Sequence, residues 1–215
     1  MFYLYLLILT LIIFFIELLC FKFVVFNRKY FKWLITKNDE FPDINPDLIS
    51  KFFSKSHDPF LGWVRRPNTH GSEKGKKGIV TYKIDKKGSR FLSSNFIPKV
   101  ACFGDSYVFC RQVNDSETWQ YYCSKKLKVN FLNYGVGNYG VDQSLLRYEN
   151  MKLPSSIDKV ILGFVPETIC RIHSSWKHYL EFGNFLAFKP RFFINQKGYL
   201  SLINNIMKSE KDFLN

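Results

Sequence analysis

The longest apolar segment lies at the N-terminus. Residues 2–26 (FYLYLLILTLIIFFIELLCFKFVVF) contain two charged side chains, Glu17 and Lys22, and residues 2–16 contain none. A membrane-spanning helix needs about 20 mainly apolar residues. A carboxylate or an ammonium group near its end can still reach water. The pattern predicts a single transmembrane anchor over residues 1–26.

A cleaved signal peptide is the alternative interpretation of this segment. Signal peptides open with basic residues and end at a cleavage site of small residues, whereas this segment begins Met-Phe-Tyr and its far end is bulky (LLCF, 18–21). These features favour a retained anchor. Basic residues at 28–37 follow it, and by the positive-inside rule they favour a cytoplasmic C-terminal domain. The five cysteines, with no C-x-x-C pair, agree with a reducing compartment.

Two segments without a continuous apolar pattern follow the anchor. Residues 27–56 are rich in Asp, Asn and Pro and are expected to form a linker with a short helix near 46–53. Residues 57–97 are expected to form a lead-in of loops and a β-hairpin. Within it, GIVTYKIDKKGSRF (78–91) alternates apolar and polar residues as a half-exposed strand does, and a turn is expected at Lys87-Gly88.

From residue 98 onward, short apolar runs alternate with segments of helical spacing. The runs are KVACF (99–103), VNFLNYGV (129–136) and DKVILGFV (158–165). Helices are expected after each run: one capped by Asp115 or Ser116, one over 141–153 and one over 167–182. This alternation predicts an α/β domain over 98–215 with a parallel sheet in a three-layer α/β/α arrangement. Ligands of such sheets bind at the carboxyl ends of the strands.

One of these strand ends carries the candidate nucleophile. Gly104-Asp105-Ser106 directly follows the first run. A serine at a tight strand-to-helix turn is exposed enough to attack a substrate, Gly104 lets the backbone turn without a Cβ clash, and Asp105 can hold the turn by local hydrogen bonds. A plain turn without chemistry is the alternative.

The three strand ends together resemble the SGNH, or GDSL-type, serine esterase family. Gly104-Asp105-Ser106 resembles its first block, NYGVGNYGVDQ (133–143) its second, and VILGFVPET (160–168) lies where the third would fall. Upstream, DPFLGWVRRPN (58–68) and YKIDKKGSR (82–90) resemble a lead-in found in membrane-associated members thought to modify bacterial surface polysaccharides. The resemblance spans roughly residues 57–190.

The resemblance implies a flavodoxin-like SGNH-hydrolase fold and a function. Ser106 would be the nucleophile of an ester hydrolase acting on O-acetyl or other ester groups of a carbohydrate. The backbone amides of Ser106 and of Gly137 or Asn138 would form the oxyanion hole. No cofactor, metal or nucleic-acid partner is expected.

The sequence departs from the family pattern at three positions. Asn138 stands where the second block usually has glycine. Glu167 occupies the third-block position of an oxyanion-binding Asn, where a carboxylate would repel the oxyanion, so Glu167 is expected to serve a helix N-terminus instead. The C-terminal Asp-x-x-His that supplies the family's base is missing, because no histidine follows His178. Either the chain stops short of its last unit, or His173 or His178 is the base.

The charge distribution leaves other functions open. The net charge is +13, and the densest basic run is 73–90. No nucleic-acid-binding motif accompanies it, so this run is expected to form a solvated hairpin, or one lying near anionic lipid. A membrane-tethered binding or accessory module that keeps the esterase fold without turnover is the competing hypothesis.

Overall fold

The chain divides into two units, Met1–Asp43 and Ile44–Asn215. The structure, a computed structural model, describes residues 1–27, 29–31, 45–76, 78–177 and 184–214. In the first unit, helix α1 (Phe2–Phe26) is long and apolar enough to cross a membrane. A signal sequence would meet the same requirement.

The second unit begins with a short helix and two small antiparallel pairs. Helix α2 (Pro46–Lys55) starts where the Asn45 side chain accepts a hydrogen bond from the Asp47 N–H, with proline at the first helical position. This confirms the helix expected near 46–53. Strands β1 (His57–Asp58) and β2 (Gly62–Trp63) pair with each other.

Strands β3 (His70–Gly75) and β4 (Gly78–Lys83) form a hairpin. The alternating pattern correctly placed β4, whose buried face carries Val80 and Tyr82. The expected turn follows at Asp85–Gly88, where the Gly88 N–H donates to the Asp85 carbonyl and Gly88 has a φ of +79°.

Three parallel strands make up the main sheet. They are β5 (Pro98–Gly104), β6 (Asn130–Asn133) and β7 (Lys159–Gly163), with β5 in the centre. The three apolar runs thus form the strands expected of them, and the chain is a mixed α/β protein. All three strands end at the same edge of the sheet, which brings the segments after residues 104, 133 and 163 together.

The helices after the strands are α3 (Ser106–Phe109), α4 (Trp119–Leu127) and α5 (Val141–Glu149). Side chains of β5 alternate between two apolar clusters. Val100 and Cys102 pack with Phe131 and with Trp119 of α4, whereas Ala101 and Phe103 pack with Leu132 and Tyr134. Burial raises the pKa of the Cys102 thiol to about 12, so this side chain is a neutral core residue.

The cap expected for α4 was wrong. Thr118, rather than Asp115 or Ser116, accepts the N-terminal hydrogen bond, from the Tyr121 N–H. Asp115 instead binds the Nε of buried Arg90 at 2.7 Å, and residues Asp115–Glu117 form a 3₁₀ turn.

The helix expected over 167–182 was also wrong in its described part. Pro166–Ile172 is a 3₁₀ helix, and the chain then leaves the helical path. Ser174 provides the physical reason, because its Oγ accepts a hydrogen bond from the Trp176 N–H and competes with helix continuation. Residues 178–183 lie outside the described part. The remaining elements of the described ranges are β8 (Arg191–Ile194), which pairs with β9 (Leu200–Ile203), and a 3₁₀ helix at Glu210–Phe213.

Candidate functional site

Ser106 is the first residue of α3, directly after the central strand. Its side chain is half-buried. Asp105 holds the turn by local hydrogen bonds, as its position suggested: its Oδ1 accepts from the Tyr107 N–H at 2.8 Å and its carbonyl from the Phe109 N–H at 2.9 Å. A Cβ on Gly104 would overlap the Gly163 carbonyl oxygen and the Val108 side chain. The turn therefore requires glycine at 104 to place the serine.

The turn after β6 packs directly on the segment that carries Ser106. The Val136 N–H donates to the Gly104 carbonyl at 2.9 Å. Gly135 lies so close to α3 that an added Cβ would be 2.8 Å from the Val108 carbonyl carbon and 2.9 Å from the Phe109 Cα. The first and second strand ends thus form one packed unit.

Three backbone N–H groups near this contact have no hydrogen-bond acceptor among the described residues. Within the described residues, the N–H groups of Ser106, Gly137 and Asn138 donate no hydrogen bond. The Gly137 carbonyl accepts from the Trp63 indole N–H at 3.0 Å, so the Asn138 N–H of the same trans peptide points the opposite way. Asn138 has a φ of +70°, a left-handed conformation that asparagine tolerates. Uncommitted amides of this kind are what an oxyanion hole uses.

Arg171 connects all three strand ends, a position that no sequence motif indicated. Its Nη1 donates to the Tyr139 carbonyl at 3.0 Å and lies 3.8 Å from the Asp105 Oδ2. Both side chains are largely buried. Asp105 Oδ2 has no hydrogen-bond partner in the described part of the chain, so Arg171 compensates its charge without bonding to it.

A second buried ion pair lies beside this connection. Lys189 donates to Asp142 at the start of α5 and, at 3.1 Å, to the Pro190 carbonyl. Burial lowers the pKa of Lys189 below its ordinary value, and the Asp142 carboxylate opposes that shift. This pair is fully enclosed and stabilises α5 rather than facing a ligand.

No described histidine side chain is hydrogen-bonded to the Ser106 Oγ. The His173 side chain is exposed at the end of the 3₁₀ helix and makes no hydrogen bond to a described residue, whereas its backbone N–H donates to the Cys170 carbonyl. The Ser106 Oγ makes no hydrogen bond to a described residue either. His178 lies outside the described residues. His57 is buried, stacks on Phe53 and binds the Met207 carbonyl through Nε2 at 3.0 Å.

Glu167 is exposed in the first turn of the 3₁₀ helix, next to Pro166. A carboxylate in the first turn interacts favourably with the partial positive charge at a helix N-terminus. In the described ranges, no group of three or more His, Cys, Asp or Glu side chains is arranged to hold a metal ion.

A cleft of about 620 Å³ opens beside the Gly137–Asn138 turn. Its walls come from the end of α2, the segment 63–72, and Arg111, whose N–H donates to the Ser106 carbonyl at 3.2 Å. Ser106 itself is not a lining residue. Sequence reasoning missed this cleft, although the consecutive Arg65 and Arg66 before Pro67 were a signal for it.

Comparison of the chain with models of protein families and with curated proteins finds no match to either.

The contact between Gly135 and α3 gives a stability prediction. Gly135→Ala is expected to destabilise the protein by about 2–3 kcal/mol, because overpacking against backbone atoms cannot be relieved by a side-chain rotation. Gly137→Ala is the matched control, since a Cβ there meets nothing within 4 Å. Urea unfolding of both variants, followed by tryptophan fluorescence, measures the difference. Equal stability of the two variants would show that the turn does not pack on α3.

Proposed function

We propose that this chain is a serine ester hydrolase of the SGNH type, with the three-layer fold of that family. The main support is the placement of Ser106 at the end of the central strand, packed against a turn in which the Gly137 and Asn138 N–H groups donate to no described residue. Acyl transfer through a serine uses such a serine and such amides together with a base.

In this mechanism the Ser106 Oγ attacks the ester carbonyl and its proton passes to a base. The oxyanion accepts hydrogen bonds from the amides of Ser106 and of Gly137 or Asn138. The tetrahedral intermediate then collapses, the alcohol leaves with a proton from the base, and water releases the acid from the acylated serine. The proposed base is His173 or His178.

The proposed substrates are O-acetyl or related esters of a carbohydrate, a class taken from the family resemblance. The proposed attachment is to a membrane through α1, with the second unit on the cytoplasmic side, in accord with the basic residues that follow the helix.

A catalytically inactive binding module is the second candidate. One observation favours it: the Ser106 Oγ has no hydrogen bond to a described side chain, so no described base activates it. Such a protein would retain the packed strand ends and the cleft, and it would bind its ligand without turnover.

Hydrolysis of 4-nitrophenyl acetate by the full chain in neutral detergent separates the two candidates. The hydrolase is expected to release nitrophenol above the rate of buffer and of heat-unfolded protein. A rate equal to the blank, from a preparation with a cooperative unfolding transition, would contradict the hydrolase and favour the binding module.

A further inference from the structure

The cleft beside the Gly137–Asn138 turn has a strongly positive lining. Four of its lining side chains are cationic, Lys55, Arg65, Arg66 and Arg111, and none of its lining residues is acidic. A concave surface of one charge sign focuses its field and concentrates ligands of the opposite sign. The lining therefore favours an anion.

One carboxylate of the protein already pairs with two arginines of this cleft. Glu73, behind the lining, bridges two of the arginines: its Oε1 lies 3.0 Å from the Arg65 Nη2, and its Oε2 accepts from the Arg111 Nε. The Glu73 side chain is only 14% exposed, whereas that of Arg111 is 53% exposed. One acid thus offsets part of the charge, and the outer face of the Arg111 guanidinium stays open.

The other two cationic side chains have N–H groups without a described hydrogen-bond partner. Arg66 uses its Nη2 on the carbonyls of Phe53 and His57, which leaves its remaining N–H groups without a described partner. Lys55 is exposed and forms no ion pair with a described residue. Arginine and lysine donors in this number suit a carboxylate or a phosphate group.

The rest of the lining suits a sugar. Hydroxyl and amide side chains lie among the cations. These groups match the hydroxyls of a saccharide. The lining polar groups are Ser54, Ser56, Thr69, Ser72 and Asn138.

We propose that this cleft binds an anionic saccharide, whose carboxylate or phosphate group lies among Lys55, Arg66 and Arg111. Identifying that saccharide as the substrate of Ser106 rests on the proposed function. The link is structural, because the cleft reaches both Asn138 of the proposed oxyanion hole and Arg111, which is hydrogen-bonded to the Ser106 backbone.

Binding is tested apart from turnover in the Ser106→Ala full chain in neutral detergent. The probes are tetragalacturonate and its fully methyl-esterified, uncharged form, with glucose 1-phosphate as a phosphate-bearing competitor. We expect methyl esterification to weaken binding by at least about tenfold at 50 mM salt, and 300 mM salt to weaken tetragalacturonate binding similarly. Competition by glucose 1-phosphate alone would identify the anion as phosphate and still support the proposal.

Charge variants are expected to change the binding affinity in opposite directions. Lys55→Gln and Arg111→Gln are each expected to weaken binding about three- to fivefold. Glu73→Gln is expected to strengthen it by a similar factor, because the acid that offsets Arg65 and Arg111 is gone. Lys126→Gln, at an exposed position of α4, is the matched control and should change affinity less than about 1.5-fold.

Three results would overturn the proposal. They are equal binding of the charged and esterified saccharides, no binding of tetragalacturonate or glucose 1-phosphate, and preference for a single-stranded oligonucleotide of equal charge. None of them depends on ester hydrolysis. Binding without turnover in the wild-type chain would instead retain this proposal and contradict the hydrolase.

Discussion

Ser106→Ala is expected to lower kcat for 4-nitrophenyl acetate by at least about 10³-fold, because it removes the proposed nucleophile and leaves only the proposed oxyanion amides and binding. The free energy of unfolding should change by less than about 0.5 kcal/mol, since the Oγ makes no hydrogen bond to a described residue. Steady-state kinetics of the full chain, with urea unfolding alongside, measure both quantities.

Ser116→Ala is the matched control for this variant. Ser116 is an exposed serine in the 3₁₀ turn ten residues further along the chain. It should retain wild-type kcat. Hydrolysis that survives in Ser106→Ala, or falls equally in Ser116→Ala, would show that the turnover does not come from Ser106.

Arg90→Met is expected to destabilise the protein by about 3–5 kcal/mol, the cost typical of breaking a buried ion pair and leaving polar groups unpaired. Arg90 is only 2% exposed. Its guanidinium donates to the carbonyls of Phe109 (2.7 Å), Cys110 (2.8 Å) and Val113 (2.6 Å) and to the Asp115 carboxylate (2.7 Å). These bonds hold the loop that follows α3.

Two further variants test whether the loss of stability comes from the hydrogen bonds of Arg90 or from the removal of a positive charge. Arg90→Lys should recover only part of the loss, because a single ammonium group cannot reproduce the planar fork of donors. Arg111→Gln removes an exposed arginine paired with Glu73 and should cost no more than about 1 kcal/mol. Urea unfolding followed by tryptophan fluorescence ranks the three. If Arg90→Met lowered the free energy of unfolding no more than Arg111→Gln does, the hydrogen bonds of Arg90 would have no structural importance.

The sheet and the Gly104-Asp105-Ser106 turn were predictable because their signals are local. A run such as residues 99–103 is short, apolar and bounded by turn residues, and the following Gly-Asp-Ser supplies a capping acid and a residue without a Cβ. The structure forms a strand and a capped helical turn at these residues.

Features that depend on contacts between distant residues were missed. The cleft joins Lys55, Arg65, Arg111 and Asn138, which come together only when the hairpin packs against α3 and the turn after β6. No sequence motif identified Arg171, because its contacts depend on where the fold places Asp105 and Tyr139. The helix expected over 167–182 failed at Ser174, where one side-chain hydrogen bond outweighed a helical apolar pattern.

Covalent labelling tests the central claim, that Ser106 is an activated nucleophile, most directly. The full chain in neutral detergent is treated with a fluorophosphonate, and the adduct is mapped by peptide mass spectrometry. The account predicts one phosphonylated residue, Ser106, and no adduct in Ser106→Ala. An unlabelled Ser106 in a protein that unfolds cooperatively, or an adduct on another residue, would contradict it.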